Sequence, residues 1–201
     1  MFDRCIHACP NGALSVAGTI VTSDELSKKI LSYKDFFDIS GGGVTFSGGE
    51  PLMQSDFLCE VLGKLDGVHK AIQTSGYAKE ETYKKVIDKM DYVLQDIKIA
   101  DEEKHIKYTG ISNGLILKNI EYLKNSGKEF VLRVPLIPGI TDTEENLCAI
   151  SKIAGDSRVE LLRYNVMAGA KYEMLGMKYT LSDKENEKKD YTKFFINAKM
   201  E

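Results

Sequence analysis

Residues 40–51, SGGGVTFSGGEP, contain a short apolar segment followed by two glycines and a single carboxylate, that of Glu50. Residues 44–46 are β-branched or aromatic, which predicts a buried strand. Gly48 and Gly49 then lack Cβ atoms, so a ligand can approach their amides and carbonyls closely. The proline that follows Glu50 biases that residue towards an extended conformation. We therefore expect a strand end that offers backbone groups and a carboxylate, at the position where parallel α/β folds bind their ligands.

Two phosphate-binding motifs do not fit this glycine-rich stretch. No Lys-Ser or Lys-Thr pair follows the glycines, which excludes a P-loop. The spacing Gly41-x-Gly43-x-x-Phe46 lacks the third glycine of a dinucleotide-binding fingerprint. A glycine-rich turn from strand to helix, without any ligand, is the structural alternative.

Polar side chains also lie at three later apolar segments. Thr74 and Ser75 end one of them, Asp96 and Lys98 are alternate residues at the end of the next, and Arg133 lies inside the third. Side chains at the carboxyl ends of parallel strands converge, so these groups predict one polar ligand-binding site. A capped turn and a structural ion pair are the alternatives for the first two pairs. An arginine inside an apolar strand needs an anionic partner, for which we expect Asp96 or a ligand carboxylate.

The four cysteines fall into two kinds. Cys59 and Cys148 lie among apolar residues of predicted helices, and we expect both to be small buried hydrophobic residues. Cys5 and Cys9, followed by proline, reproduce the last two thiolates of a bacterial ferredoxin motif, C-x-x-C-x-x-C-x-x-x-C-P, with Phe2 at the position of the second. Two thiolates cannot by themselves fill the ligand set of an iron–sulfur cluster. A loop with two ordinary cysteines is the alternative.

Strand and helix signals alternate along the chain, which predicts an α/β fold with a parallel sheet and right-handed crossovers. Helices are predicted at residues 55–65, 79–90, 115–123 and 141–153, the first capped by Ser55, and residues 183–190 read as a solvated helix. Five strands are too few to close a (β/α)8 barrel. They are predicted at residues 44–46, 71–74, 91–98, 130–135 and 159–164.

Composition limits the class of protein. A chain of 201 residues with 43% hydrophobic residues can bury one substantial core. A formal net charge of −3 without a basic stripe argues against nucleic acid as an obligatory partner. No apolar stretch is long enough to span a bilayer, and the first residues lack a signal-peptide segment, so we expect a cytoplasmic protein without a membrane partner.

In their order along the chain, these motifs resemble the radical S-adenosylmethionine (SAM) family, and specifically glycyl-radical-enzyme activating enzymes of the pyruvate formate-lyase activase type. The resemblance runs from about Cys5 to Gly176 and includes Gly48-Gly49-Glu50-Pro51, Thr74-Ser75-Gly76 and Asp96-x-Lys98. It implies a partial parallel (β/α) barrel of the radical SAM type, with Cys5 and Cys9 as metal ligands. The residues that it implies for cofactor binding are Gly48, Gly49, Glu50, Thr74, Ser75, Asp96, Lys98, Arg133 and Asn165.

The chain also departs from the family pattern. It has no C-x-x-x-C-x-x-C run, the motif whose three thiolates hold the [4Fe–4S] cluster in this family. Gln73 stands where an acidic residue is usual, and Asn165 stands where a SAM-contacting histidine is usual. The resemblance implies that residues 1–20 are the remnant of a ferredoxin-like iron–sulfur insert. Residues 21–201 would then be a partial radical SAM barrel without its first strand.

The function implied by the resemblance is hydrogen abstraction from a glycine of a partner enzyme, with SAM and a [4Fe–4S] cluster as cofactors. The implied partners are a pyruvate formate-lyase-like glycyl radical enzyme and, under anaerobic conditions, a reductant such as flavodoxin or ferredoxin. Because the cluster motif is absent, we expect this chain to be a truncated form that is inactive alone. A non-catalytic SAM- or partner-binding remnant, or a radical SAM enzyme acting on a small molecule, are the alternatives. A strand at residues 44–46 with one free edge also predicts self-association.

Overall fold

The computed structural model of this chain describes Pro10, residues 18–165, Tyr172, residues 178–179 and residues 189–201. In this part of the chain, six parallel strands form one sheet in the order β1 to β6. The strands are β1 (Gly43–Phe46), β2 (His69–Thr74), β3 (Tyr92–Asp96), β4 (Glu129–Leu136), β5 (Val159–Arg163) and β6 (Ala198–Met200).

Helices precede β1 and connect each of the first four strands to the next. They are α1 (Ser23–Leu31), α2 (Lys34–Ser40), α3 (Ser55–Leu62), α4 (Glu80–Ile87), α5 (Glu102–Thr109), α6 (Gly114–Asn125) and α7 (Glu144–Ala154). Short 3-10 turns at Pro51–Gln54 and Thr192–Phe194 precede α3 and β6.

The core lies between these helices and one face of the sheet. On β4, the alternate residues Leu132, Val134 and Leu136 are fully buried in a cluster with apolar residues of α6 and α7. Burying one such side chain stabilises the fold by about 1.5–3 kcal/mol. Because neighbouring residues on a strand point to opposite faces, Arg133 lies on the other face, which is only partly covered. The alternation thus separates an apolar helix-facing layer from a polar inner face.

The predicted fold class, a partial parallel α/β barrel sheet, is confirmed, but the predicted number of strands is one too few. The missed strand, β6, is only three residues long and carries Lys199 at its centre, so it has no apolar run to mark it. The expectation that Ser55 caps α3 is wrong. The 3-10 turn delivers Gln54 to the N-cap position, and the Glu50 side chain accepts a hydrogen bond from Leu52 N at the start of that turn. Of the helix predicted at residues 183–190, all but the last two residues lie outside the described part of the chain.

The first strand has a free edge within the described residues, because β1 pairs with β2 alone. The helix before it, α2, buries none of its side chains, and Phe36 and Ile39 are 66% and 88% exposed. Among the described helices, none is long and apolar enough to cross a membrane.

Candidate ligand-binding site at the carboxyl edge of the sheet

The Glu50 carboxylate joins the loop after β1 to the end of β2. Its Oε1 accepts hydrogen bonds from Thr74 Oγ1 at 2.6 Å and from Leu52 N at 3.1 Å. Its Oε2 accepts from Ser75 N at 2.8 Å and from Ser75 Oγ at 2.5 Å. The structure therefore brings together three residues that the sequence predicted for one site, and they contact one another directly.

Buried polar side chains hold the turn after β2 on the side away from Glu50. Gly76 has a φ of +72°, and a Cβ built there would lie 2.8 Å from Gln95 Oε1. Asn119 Nδ2 donates to the carbonyl oxygens of Gly76 at 2.8 Å and Ala78 at 2.9 Å. Tyr83, fully buried, donates its hydroxyl proton to Gln95 Oε1 at 2.8 Å. Burial and the nearby Glu50 charge raise the pKa of Tyr83, which keeps it a neutral donor.

Asp96 ends β3 and Lys98 lies two residues beyond it, and their side chains form the ion pair that the sequence left open as the structural alternative. Lys98 Nζ donates to Asp96 Oδ2 at 3.1 Å, and the two side chains are 37% and 20% exposed. The other carboxylate oxygen, Asp96 Oδ1, is buried and has no hydrogen-bond partner among the described residues. Since nearly all buried polar atoms in native proteins are hydrogen-bonded, this oxygen is a natural acceptor for a ligand.

Arg133 lies beside Asp96 in the register of β3 and β4, but the expectation that its protein partner is Asp96 is wrong. The carboxylate that pairs with Arg133 is Glu160, opposite it on β5, with Nε and Oε2 separated by 3.9 Å. That distance is too long for a hydrogen bond, and Arg133 Nε is buried without a hydrogen-bond partner in the described part of the chain. Glu160 is also held by Arg158 at 3.3 Å and Lys199 at 3.2 Å.

The remaining predicted site residues lie at the same edge of the sheet. Gly48 has a φ of +129°, which favours glycine, and a Cβ built at Gly48 or Gly49 would meet nothing within 4 Å. These two residues are therefore open to a ligand. Asn165 is exposed and lies two residues beyond the end of β5. All nine predicted cofactor-binding residues thus lie at or near the carboxyl ends of β1 to β5.

Two hollows differ in what they offer to a ligand. One of about 170 Å³ lies beside the site, and Ser75, Asp96 and Lys98 contribute to its walls. A larger, open depression of about 790 Å³ lies at the amino ends of β3 and β4, and its Lys124 and Lys128 already donate to backbone carbonyls. Because these ammonium groups are already bonded, we place the ligand site at the carboxyl edge.

Sulfur ligands for a metal are not assembled in the described part of the chain. Cys5 and Cys9 lie outside the described residues. Cys59 is half-buried on α3, but Cys148 is exposed on α7, so the expectation that it is buried is wrong. It directly follows the buried Leu147, and one residue is about 100° around a helix, which turns Cys148 away from the core. No group of histidine, cysteine or acidic residues among the described residues could hold a metal ion.

Several residues that shape the site were missed in the sequence. Tyr83, Gln95, Asn119 and Glu160 are all buried, although their types are usually exposed or only partly buried. The one signal available was position, because Gln95 and Glu160 each lie within an apolar strand segment. In the structure Gln95 bonds to Tyr83 behind the turn after β2, and Glu160 pairs with Arg133.

Comparisons with known proteins agree with this geometry. The Radical SAM superfamily matches residues 4–149. The 4-hydroxyphenylacetate decarboxylase activating enzyme of Clostridium scatologenes is 41% identical over 201 residues, covering 94% of this chain and 64% of that protein. The trans-4-hydroxy-L-proline dehydratase activating enzyme of Clostridioides difficile is 42% identical over 177 residues, covering 84% of this chain and 59% of that protein. This chain thus spans less than two thirds of the length of either relative.

A solved structure shows the same fold. A domain of pyruvate-formate lyase-activating enzyme from Bacteroides vulgatus ATCC 8482 superposes with a TM-score of 0.60 at 26% sequence identity. The match covers 80% of this chain and 99% of that domain.

Proposed function

Because this chain belongs to the radical SAM superfamily, we propose that the carboxyl edge of its sheet binds S-adenosylmethionine. The observation that carries the proposal is a pair of buried atoms, Asp96 Oδ1 and Arg133 Nε, that have no hydrogen-bond partners among the described residues. A carboxylate oxygen and a guanidinium N–H on neighbouring strands fit a ligand that both donates and accepts. The amino-acid end of SAM does so, with its ammonium and its carboxylate.

Different residues at this edge bind different groups of the ligand. Asp96 accepts from an ammonium or a ribose hydroxyl, and Lys98 and Arg133 donate to a carboxylate. Gly48 and Gly49 leave room for the ligand to approach the backbone. Exclusion of water from this partly buried face strengthens each of these charged hydrogen bonds.

We further propose that the chain comes from an activating enzyme whose partner is a glycyl radical enzyme. Two relatives with about 40% identity are activating enzymes by name, one for a decarboxylase and one for a dehydratase. Members of the superfamily use a [4Fe–4S] cluster, reduced by a protein such as flavodoxin or ferredoxin, to cleave SAM and supply a radical for hydrogen abstraction. The hydrogen would come from a glycine of the partner. Which glycyl radical enzyme is recognised depends on surfaces outside the site.

The cysteines of this chain do not fit a complete cluster site. Cys59 and Cys148 lie on separate helices, and the sequence places only Cys5 and Cys9 close together. Three thiolates are the minimum that the family motif provides. We propose that the 201-residue chain binds SAM but does not cleave it alone. The same observation favours the second candidate, a non-catalytic protein that binds SAM or a partner enzyme.

Calorimetry with SAM tests the binding site. We expect Asp96→Asn to weaken binding at least tenfold, because the loss of a buried charged hydrogen bond costs about 2–5 kcal/mol. Asp91→Asn is the matched control, since Asp91 lies at the opposite end of β3 and accepts from Lys70 N at 2.7 Å. Absence of SAM binding at millimolar concentration, or equal losses in the two variants, would refute the site.

A second experiment tests whether the chain cleaves SAM alone. After anaerobic reconstitution with iron and sulfide, the chain is given dithionite and SAM and assayed for 5′-deoxyadenosine. We expect no product above a control without protein. Product formation would show that a third ligand joins Cys5 and Cys9. Electron paramagnetic resonance of an added glycyl radical enzyme then reports whether a glycyl radical forms.

A further inference from the structure

We infer that Glu50 is a positioning residue that fixes the turn after β2, and that it does not contact the ligand itself. This inference rests on the proposed SAM site, but its first test needs no ligand. A carboxylate offers about four lone-pair positions. The four donors described above, Leu52 N, Thr74 Oγ1, Ser75 N and Ser75 Oγ, occupy all of them. A ligand ammonium would have to displace one of these donors to reach Glu50.

The four bonds also determine the direction of two hydroxyl groups. Thr74 donates its single proton to Glu50 and therefore accepts from Gly76 N at 2.9 Å. Ser75 likewise donates to Glu50 and accepts from Tyr77 N at 3.3 Å. Each hydroxyl has one proton to donate, so neither has a proton left for a ligand carboxylate. Towards a ligand, Ser75 is an acceptor only.

The turn is then held on both sides. Glu50 binds its front through Thr74 and Ser75, and Asn119 binds its back through the Gly76 carbonyl oxygen. Asn119 is fully buried, and its amide nitrogen donates both protons, to the carbonyl oxygens of Gly76 and Ala78. Loss of Glu50 should therefore free the front of the turn without unfolding the sheet behind it.

Native-state hydrogen exchange of the ligand-free chain tests this role directly. We expect Glu50→Gln to accelerate exchange of the amides of Ser75, Gly76 and Tyr77 at least tenfold, because the Gln amide group opposes two of the donors. Glu25→Gln is the matched control. Glu25 also accepts from a backbone N–H and a hydroxyl, both of Thr22 on the distant α1 cap, and its loss should leave the turn unchanged. If Glu50→Gln does not fold, Glu50→Asp serves as the second variant, since it retains the charge but shortens the reach. Unchanged exchange in the turn would overturn the inference.

Ligand binding provides the second arm of the test. SAM is compared with an analogue that lacks the α-amino group. A positioning role predicts that Glu50→Gln weakens both ligands by the same factor. Direct contact with the ammonium predicts a loss for SAM alone, and that result would overturn the inference. If the wild type binds neither ligand, the proposed SAM site fails, while the exchange experiment still decides the role of Glu50.

Discussion

Replacement of Gly76 by alanine measures how tightly the turn of the candidate site is supported. The change has two separable costs. An L-residue at a φ of +72° adopts a left-handed conformation, which costs about 1–2 kcal/mol. The new Cβ also lies 2.8 Å from Gln95 Oε1, which is closer than real Cβ contacts allow, and 3.0 Å from its Cδ, which is tighter than most of them.

Gln95 cannot move aside freely. It is fully buried, accepts from Tyr83 and donates to the Asp96 carbonyl oxygen at 3.1 Å. Its displacement would leave a buried donor or acceptor unsatisfied, at a cost of about 1–3 kcal/mol. The two costs together predict a loss of about 2–5 kcal/mol in the free energy of unfolding for Gly76→Ala.

Gly127→Ala supplies the matched control. Gly127 has nearly the same φ, +71°, but a Cβ built there meets nothing within 4 Å. It should lose only the conformational cost of about 1–2 kcal/mol. Urea denaturation followed by circular dichroism gives both values, and the linear extrapolation has enough precision to separate them. Losses that agree within about 0.5 kcal/mol would show that Gln95 does not support the turn, and the reasoning would fail.

Three further changes test the charges and the sheet edge. Lys98→Ala should weaken SAM binding at least tenfold, since a charged hydrogen bond of about 2–5 kcal/mol is lost, and calorimetric equality with the wild type would remove Lys98 from the site. Glu160→Leu should lower the free energy of unfolding by about 3–5 kcal/mol, because Arg133 loses its ionic partner, and an unchanged urea midpoint would contradict the pairing. Sedimentation should show a concentration-dependent oligomer formed through the free edge of β1. Ile39→Asp, on the exposed helix α2 that precedes β1, should favour the monomer, and a wild type that is monomeric throughout would rule self-association out.

The parts of the fold that could be predicted are those with a periodic apolar signal. The strands from β1 to β5 follow runs of β-branched and aromatic residues, and the helices between them bury residues spaced three or four apart. The second helix, α2, was missed for the opposite reason, since it buries no side chain and so has no apolar stripe.

The candidate site was predictable in its position more than in its contacts. Polar residues that directly follow an apolar run, such as Ser75 and Asp96, lie at a strand end in any parallel sheet. The partner of Arg133 could not be predicted, because Glu160 is distant in sequence and becomes a neighbour only through the register of β4 and β5. Glu50 was expected to face the ligand, and no local pattern reveals the four donors that surround it.

The charges on the inner face also determine how a zwitterionic ligand would be oriented. On the β4 to β6 side, Arg133, Arg158 and Lys199 surround the single carboxylate of Glu160, and Glu201 pairs with Lys199. Three cations against two carboxylates leave an excess positive charge there, and Arg133 still has a buried N–H to donate.

On the other side of the site the balance is reversed. Glu50 has no cation within ion-pair distance among the described residues, and Asp96 has only the half-exposed Lys98. An ammonium is therefore favoured towards Asp96 and the bare backbone of Gly48 and Gly49, and a carboxylate towards Arg133. Because Glu50 already accepts four hydrogen bonds, Asp96 Oδ1 remains the acceptor that can contact the ammonium.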